Sequence, residues 1–250
     1  MTKRRCTAIL LAAGSGRRMK SDVAKQFMLL DGKPLIWYAL NAIEESEIID
    51  DCILVTGEED ISYVRQEIVE RYGFHKVETV IAGGAERCFS VANALQVIGG
   101  EGLREANRDG YVFIHDGARP FLTQEILRDT CRAVEKYHAC VAAVPSKDTI
   151  KIADGEGFAA ATPARNLLWS IQTPQVFDTE LIVRAYAALL EQWEKLQEQG
   201  ITVTDDAGVV ELFTDTKVKL VMASYENIKI TTPEDLKVAE SFLRERIRND

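Results

Sequence analysis

The sequence predicts an α/β fold, a mostly parallel twisted sheet flanked by helices and carrying a protruding β-hairpin arm. Three observations predict it. Short β-rich runs alternate with longer amphipathic segments, a glycine-rich turn follows the first of those runs, and the alternation breaks once, at residues 146 to 170.

TAILLAA (7–13) is the first strand, and PLIWYALNAIEES (34–46) is a helix with Pro34 in its first turn, where a missing N–H costs nothing. CILVT (52–56) then precedes the helix EEDISYVRQEIVERY (58–72), and VETVI (77–81) precedes AERCFSVANALQVI (85–98). YVFIH (111–115) precedes TQEILRDTCRAVEKY (123–137), and the strand ACVAAVP (139–145) follows. Strict alternation implies βαβ crossovers. Residues 146–170 contain DTIKI, a DGEG turn and FAAAT, which read as a hairpin. A hairpin projecting from such a sheet cannot bury its own apolar residues, so it is expected to pack on something else, a second subunit first, or as a flap over its own subunit's cleft. Thr232-Pro233-Glu234-Asp235 gives the last helix a cap, a proline and acids at its positive end. No repeat or low-complexity linker interrupts the chain, so residues 1–250 read as a single domain with the arm inserted in it.

Composition narrows the function. A hydrophobic content of 46% over 250 residues supports a sizeable core, and 39 acidic against 30 basic side chains give a net charge of −9, which argues against a general nucleic-acid surface. Any phosphate must then be held by a local concentration of lysine, arginine and backbone amides. The five cysteines (Cys6, Cys52, Cys88, Cys131, Cys140) are scattered without a CxxC pair, as expected for reduced packing thiols, and the three histidines do not cluster as metal ligands. The start, MTKRRCTAILLAAGSG, has an apolar run of about eight residues followed at once by RRMK, too short for a secretory leader. No stretch approaches the roughly 20 apolar residues of a membrane span, so a cytoplasmic location is expected.

Residues 11–25, LAAGSGRRMKSDVAK, read as a loop to hold phosphate, the alternative being a glycine turn followed by solvated basic residues. A dinucleotide turn, GxGxxG, would place its third glycine at Met19, and a Walker loop counted from Gly14 would place its second glycine at the same residue. Both lose their defining residue. What remains is LxAGxGxRM and a lysine: Leu11, Ala13, Gly14, Gly16, Arg18, Met19 and Lys25. This resembles the signature of the sugar-phosphate nucleotidyltransferases. Small residues let backbone N–H groups approach a triphosphate, and Arg18 and Lys25 add positive charge.

Further motifs follow in order: AGGAERCFS (82–90), HDGARPF (115–121), KDTIK (147–151), PARNLLWSIQTPQVF (163–177), TVTDDAG (202–208) and ENIKITTPEDL (226–236). Together they resemble the 2-C-methyl-D-erythritol 4-phosphate cytidylyltransferases, which use CTP, and the likeness runs from about residue 7 to the C-terminus. The resemblance implies a Rossmann-like nucleotidyltransferase fold and attack by the acceptor phosphate on the α-phosphorus of CTP, with release of pyrophosphate. It implies that Arg18 and Lys25 stabilise the transition state, while Arg165 and Lys229 orient the acceptor. Ala12, Ala13, Gly14 and Gly16 would line the nucleotide, and Gly83, Gly84 and Ser90 the cytosine. Asp116, Arg119, Thr149, Thr173 and Thr204 would contact the acceptor, with Asp116 also a ligand for Mg²⁺. In that family the hairpin reaches the neighbouring subunit's site, so a homodimer is implied.

This chain carries Ala24 where relatives often have proline, Ala85 where many have a polar residue, and Gly117 where alanine is common. Ribitol 5-phosphate cytidylyltransferase shares the CTP machinery and is the nearest alternative. A non-catalytic nucleotide-binding module is a weaker one, disfavoured by the presence of Arg18 and Lys25, and a dehydrogenase is weaker still because of Met19.

Overall fold

Strand β1 (Cys6–Leu11) is paired on both edges by parallel neighbours, β4 (Asp51–Thr56) on one side and β6 (Tyr111–Asp116) on the other. Its alternate residues part into two cores: Cys6, Ala8 and Leu10 face one helical layer and Ile9 faces the other, as do Leu54 against Ile53 and Phe113 against Ile114. Burial on both faces is why these runs are apolar without alternation. This computed structural model describes residues 3–14, 24–99 and 109–249.

Those residues build a seven-stranded sheet in the order β11-β7-β10-β6-β1-β4-β5. The remaining members are β5 (Val77–Ala82), β7 (Ala139–Pro145), β10 (Trp169–Asp178) and β11 (Lys219–Met222). All pairs are parallel except those of β10, which runs antiparallel to both β6 and β7. A short ribbon of β2 (Leu29–Leu30) and β3 (Lys33–Pro34) precedes α1 (Leu35–Glu44). Helix α1 covers the first core together with α4 (Gln124–Tyr137) and the stretch of 3₁₀, α and π turns from Glu58 to Glu70, of which Ile61–Tyr63 is α2. The opposite core takes α3 (Arg87–Gly99), α5 (Thr179–Glu191), α6 (Trp193–Glu198) and α7 (Asp206–Phe213). Helix α8 (Pro233–Asn249) packs a third, smaller cluster through Ala239 and Phe242.

Several expectations are adjusted. Pro34 sits one residue before α1, where it also pairs with Leu29. In α8, Pro233 is the first helical residue, but the cap comes from Asp235: its Oδ2 accepts the N–H groups of Thr231 and Thr232 at 2.7 and 2.8 Å. Residues 58–72 are helical but not one α-helix. The arm is shorter in its pairing than residues 146–170 suggest, with β8 (Ile152–Ala153) and β9 (Ala159–Ala161) joined by the DGEG turn. Asp154 Oδ1 accepts from Glu156 and Phe158 N–H there, and Gly157 supplies φ +90°. Ile152, Phe158 and Leu167 of the arm are exposed. Among the described residues no helix is long and apolar enough to cross a membrane. All five cysteines are free.

Candidate functional site

The carboxyl ends of β1, β5 and β6 open onto one cleft, at the point where sheet order reverses about β1. The first lobe, about 410 Å³, is lined by Ala12, Ala13, Gly14, Lys25, Gly84, Arg87, Ser90, Asp116 and Lys229. A second of about 300 Å³ is lined by Arg87, Asp116, Arg119, Thr173, Thr204, Asp205 and Lys229. Arg87, Asp116 and Lys229 are common to both, so the two form one cleft with a charged seam.

Each wall is fixed by backbone bonds. Ala12 N–H donates to Val55 O at 2.7 Å and Gly83 N–H to Thr56 O at 2.8 Å, so the turns after β1 and β5 both leave the strand between them, β4, at the same height. A Cβ on Gly83 would overlap that of Ala13 and stand 2.8 Å from Ser90 Oγ, so glycine lets the two turns touch. The Ser90 hydroxyl works inside its own turn, accepting from Gly84 N–H at 3.0 Å and donating to Glu86 O at 3.3 Å. Lys25 opens the 3₁₀ turn Lys25–Phe27, anchored by the buried Gln26, whose Nε2 donates to Ala12 O at 2.6 Å. The preceding Ala24 has φ −58° and ψ 135°, a conformation proline also adopts, so the alanine keeps the same backbone path.

Asp116 ends β6 beneath three cations. Lys229 Nζ lies 2.8 Å from Oδ2, Arg119 Nε 3.7 Å from Oδ2, and Arg87 Nε 3.5 Å from Oδ1. Burial alone would raise its pKa, but the charges of Arg87, Lys229 and Arg119 hold the carboxyl well below the usual range. Arg119 is pulled the other way: desolvation lowers its pKa more than Asp116 raises it. Its buried Nε has no hydrogen-bond partner among the described residues. Three cations against Asp116 and the Asp206 carboxylate that also pairs with Arg87 leave the seam one positive charge in excess, attractive to a phosphate.

The segment bearing Lys229 is laced to the loop after β6. Ile230 N–H donates to Ala118 O at 2.8 Å, Arg119 Nη1 donates to Asn227 O at 2.7 Å, and fully buried Asn227 donates to Thr173 O at 2.8 Å. Thr173 Oγ1 accepts from Asp116 N–H at 3.1 Å and lies 3.0 Å from His115 Nδ1, while His115 Nε2 lies 3.2 Å from Arg119 O. That network assigns the proton to Nε2, with Nδ1 accepting from Thr173.

Desolvation pushes buried His115 down to about 4, from 6.5. A depressed histidine contributes stability in full above about pH 6.5 and loses it as pH falls through about 4, because over that window the unfolded chain binds the proton and the folded chain does not. The loss should reach about 3 kcal/mol by pH 4. Denaturant midpoints measured against pH should fall more steeply for the wild type than for His115→Gln across this window. Parallel curves would count against it.

The structure thus brings together Ala12, Ala13, Gly14, Lys25, Gly84, Ser90, Asp116, Arg119, Thr173, Thr204 and Lys229, with Gly83 directly beneath. Gly16 and Arg18 lie outside the described residues. Thr149 and Arg165 are exposed on the arm and line neither lobe of their own chain. Sequence reasoning missed Arg87, whose Nη1 and Nη2 make 2.8 and 2.7 Å bonds to Asp206, and it missed the bracket residue Gln175. Gln175 Nε2 donates to Asp205 Oδ2 at 2.9 Å and its Oε1 accepts Ala207 N–H at 2.9 Å, which ties TVTDDAG to QTPQ. Arg87 was within reach, since it stands in AGGAERCFS on the first turn of a helix that starts at a strand's carboxyl end.

Comparison with known proteins agrees with the geometry. The family model described as 2-C-methyl-D-erythritol 4-phosphate cytidylyltransferase matches residues 6–245. The enzyme of that name from Lachnospira eligens is 50% identical over 238 residues, 95% of this chain and 99% of the relative, and that from Lachnoclostridium phytofermentans is 46% identical over 239 residues, 96% of each. The crystal structure of 4-diphosphocytidyl-2C-methyl-D-erythritol synthase from Anaerococcus prevotii matches with a TM-score of 0.78 at 33% identity, covering 97% of this chain and 99% of that one. A Rossmann-like sheet with its cleft at the β1/β6 reversal, lined by the motifs of one enzyme family and matched over nearly the full length, places the chain: it belongs to the 2-C-methyl-D-erythritol 4-phosphate cytidylyltransferase family.

Proposed function

We propose that this chain, as one cytidylyltransferase domain, transfers CMP from CTP to 2-C-methyl-D-erythritol 4-phosphate, giving the cytidine diphospho derivative and pyrophosphate. The observation that carries the reading is the two-lobed cleft with a cationic seam. One lobe offers small residues and Lys25 to a triphosphate, the other offers Thr173, Thr204 and Arg119 to an acceptor, and Lys229 belongs to both. The acceptor phosphate is largely dianionic at neutral pH and needs no general base. The barrier lies in bringing two polyanions together, which cations and positioning lower.

In this reading Arg18 and Lys25 stabilise charge at the α-phosphorus, and Ala12, Ala13, Gly14 and Gly16 bind the triphosphate. The turn of Gly83, Gly84 and Ser90 reads cytosine through backbone groups, since the Ser90 hydroxyl is engaged. Asp116 is, among the described residues, the carboxylate common to both lobes, and no group of three or more His, Cys, Asp or Glu among them could hold a metal. That donor set fits Mg²⁺, which takes one or two carboxylates and completes its shell with phosphate oxygens and water. Bound there, Mg²⁺ would neutralise triphosphate charge.

The exposed Arg165 and Thr149 complete the acceptor lobe from a second subunit in this reading, with Ile152, Phe158 and Leu167 of the arm buried between the two. Mixing inactive Lys25→Ala and Arg165→Ala proteins should then restore activity. About half the dimers would be mixed and one of their two sites intact, so roughly a quarter of wild-type turnover is expected after subunit exchange. No recovery would place Arg165 in its own subunit's site. The function itself is tested by incubating the protein with CTP and each acceptor and measuring pyrophosphate release. Methylerythritol phosphate should be the preferred acceptor, and preference for ribitol 5-phosphate would overturn the proposal.

A further inference from the structure

Arg87 is a common wall of the two lobes, standing beside Gly84 and Ser90 in one and beside Thr204 and Asp205 in the other. Its guanidinium is held from behind. Asp206, fully buried in the first turn of α7, accepts both Nη groups, and its Oδ1 also accepts the Tyr186 hydroxyl at 2.6 Å. Tyr186 comes from the middle of α5, a helix that lines neither lobe. Asp206 lines neither lobe either, although its neighbour Asp205 does.

A guanidinium on a free stem would turn toward whichever phosphate arrived first. Here the planar fork is matched by a carboxylate, which removes that freedom. Following a phosphate into one lobe would strip the buried Asp206 of its two charge-assisted bonds and leave it the phenol alone, a costly state for a desolvated carboxylate. Burial works against the Arg87 charge, but Asp206 and then Asp116 keep it firmly protonated. The Nε edge, 3.5 Å from Asp116, is thereby aimed at the seam in one orientation for both lobes.

We propose that Tyr186 and Asp206 are positioning residues that hold Arg87 as the shared wall of the cleft, so that binding in the nucleotide lobe is coupled to binding in the acceptor lobe. The inference rests on the cytidylyl-transfer reading above. An ion pair that merely tied α3 to α7 would support folding and nothing more.

Tyr186→Phe separates the two, because it keeps the ring in the core and removes only the hydroxyl. Steady-state kinetics with CTP and methylerythritol phosphate should show kcat/KM for the acceptor lowered about tenfold. The dependence of the acceptor KM on CTP concentration, which reads the coupling, should weaken with it. Asp206→Asn should reproduce both effects with a larger loss. In an Arg87→Lys background, Tyr186→Phe should cost nothing further, since the fork it acts through is gone. Unchanged kinetics in Tyr186→Phe, or equal losses in both backgrounds, overturn the inference while an active wild type leaves the functional reading intact. A wild type that forms no product from CTP and methylerythritol phosphate overturns that reading, and this inference with it.

Discussion

Lys25→Ala should lower turnover by about 10²- to 10³-fold, or about 2.7–4 kcal/mol of transition-state stabilisation, the magnitude seen when one preorganised donor to a developing negative charge is removed. The fold should survive, because the backbone at this position is held by its neighbours. Gln26 is buried and bonded to Ala12 O, Phe27 belongs to the first core, and Phe27 N–H closes the turn on Ala24 O at 2.9 Å. The side chain reaches the residue that follows Ala13, with Cε 4.0 Å from where a Cβ on Gly14 would stand. In the proposed reading its charge meets the triphosphate there, and the loss should then fall on kcat more than on the KM for CTP. Lys25→Arg should recover little, since a rigid fork does not substitute for a compact ammonium at a fixed point. Single-turnover product formation beside a thermal unfolding curve decides it. Turnover near that of the wild type would remove Lys25 from the chemistry.

What the sequence discloses about this cleft follows a physical division. Lys25, Asp116 and Lys229 are legible because each sits in a short motif whose neighbours set its backbone: a glycine turn, a strand end, and a buried Asn227 two residues before the lysine. The strand–helix alternation is legible because apolar strands and amphipathic helices differ in period. Arg87 and Asp206 lie 119 positions apart, so no local pattern contains their bidentate bond. Tyr186 on an amphipathic helix reads as core, which it also is. The direction of β10 is hidden for a related reason. It is set by the connection through the arm, and its register shift between Ile171 and Gln175 presents Thr173 to Asp116. The stretch from Glu58 to Glu70 has helical periodicity, but periodicity does not distinguish 3₁₀, α and π turns.

Asp116→Asn should cost the free protein about 3 kcal/mol of stability, at the low end of what removing one partner of a buried charge cluster costs. Asp116 is one carboxylate serving three cations. Arg87 keeps Asp206, and Lys229, more than a third exposed, can turn to water. Arg119 has neither escape: its side chain is 11% exposed and its other charge-assisted contact is to the Asn227 carbonyl. The sign with pH follows from the direction of the shift. Since the folded carboxyl is held below its unfolded value, its contribution is complete above the unfolded pKa of about 3.9 and is lost only as pH falls below it, so the variant should be destabilised throughout the neutral range. An anion delivered to the seam should compensate. Inorganic phosphate should raise the unfolding midpoint of Asp116→Asn more than that of the wild type, by the linkage of ligand binding to the folded state. A midpoint indifferent to the substitution would mean that Asp116 does not hold these cations together. A midpoint lowered but unmoved by phosphate would mean that the Asp116 carboxylate shapes the loop after β6 as an ion-pair partner of Arg119, with the seam itself unable to accept a phosphate.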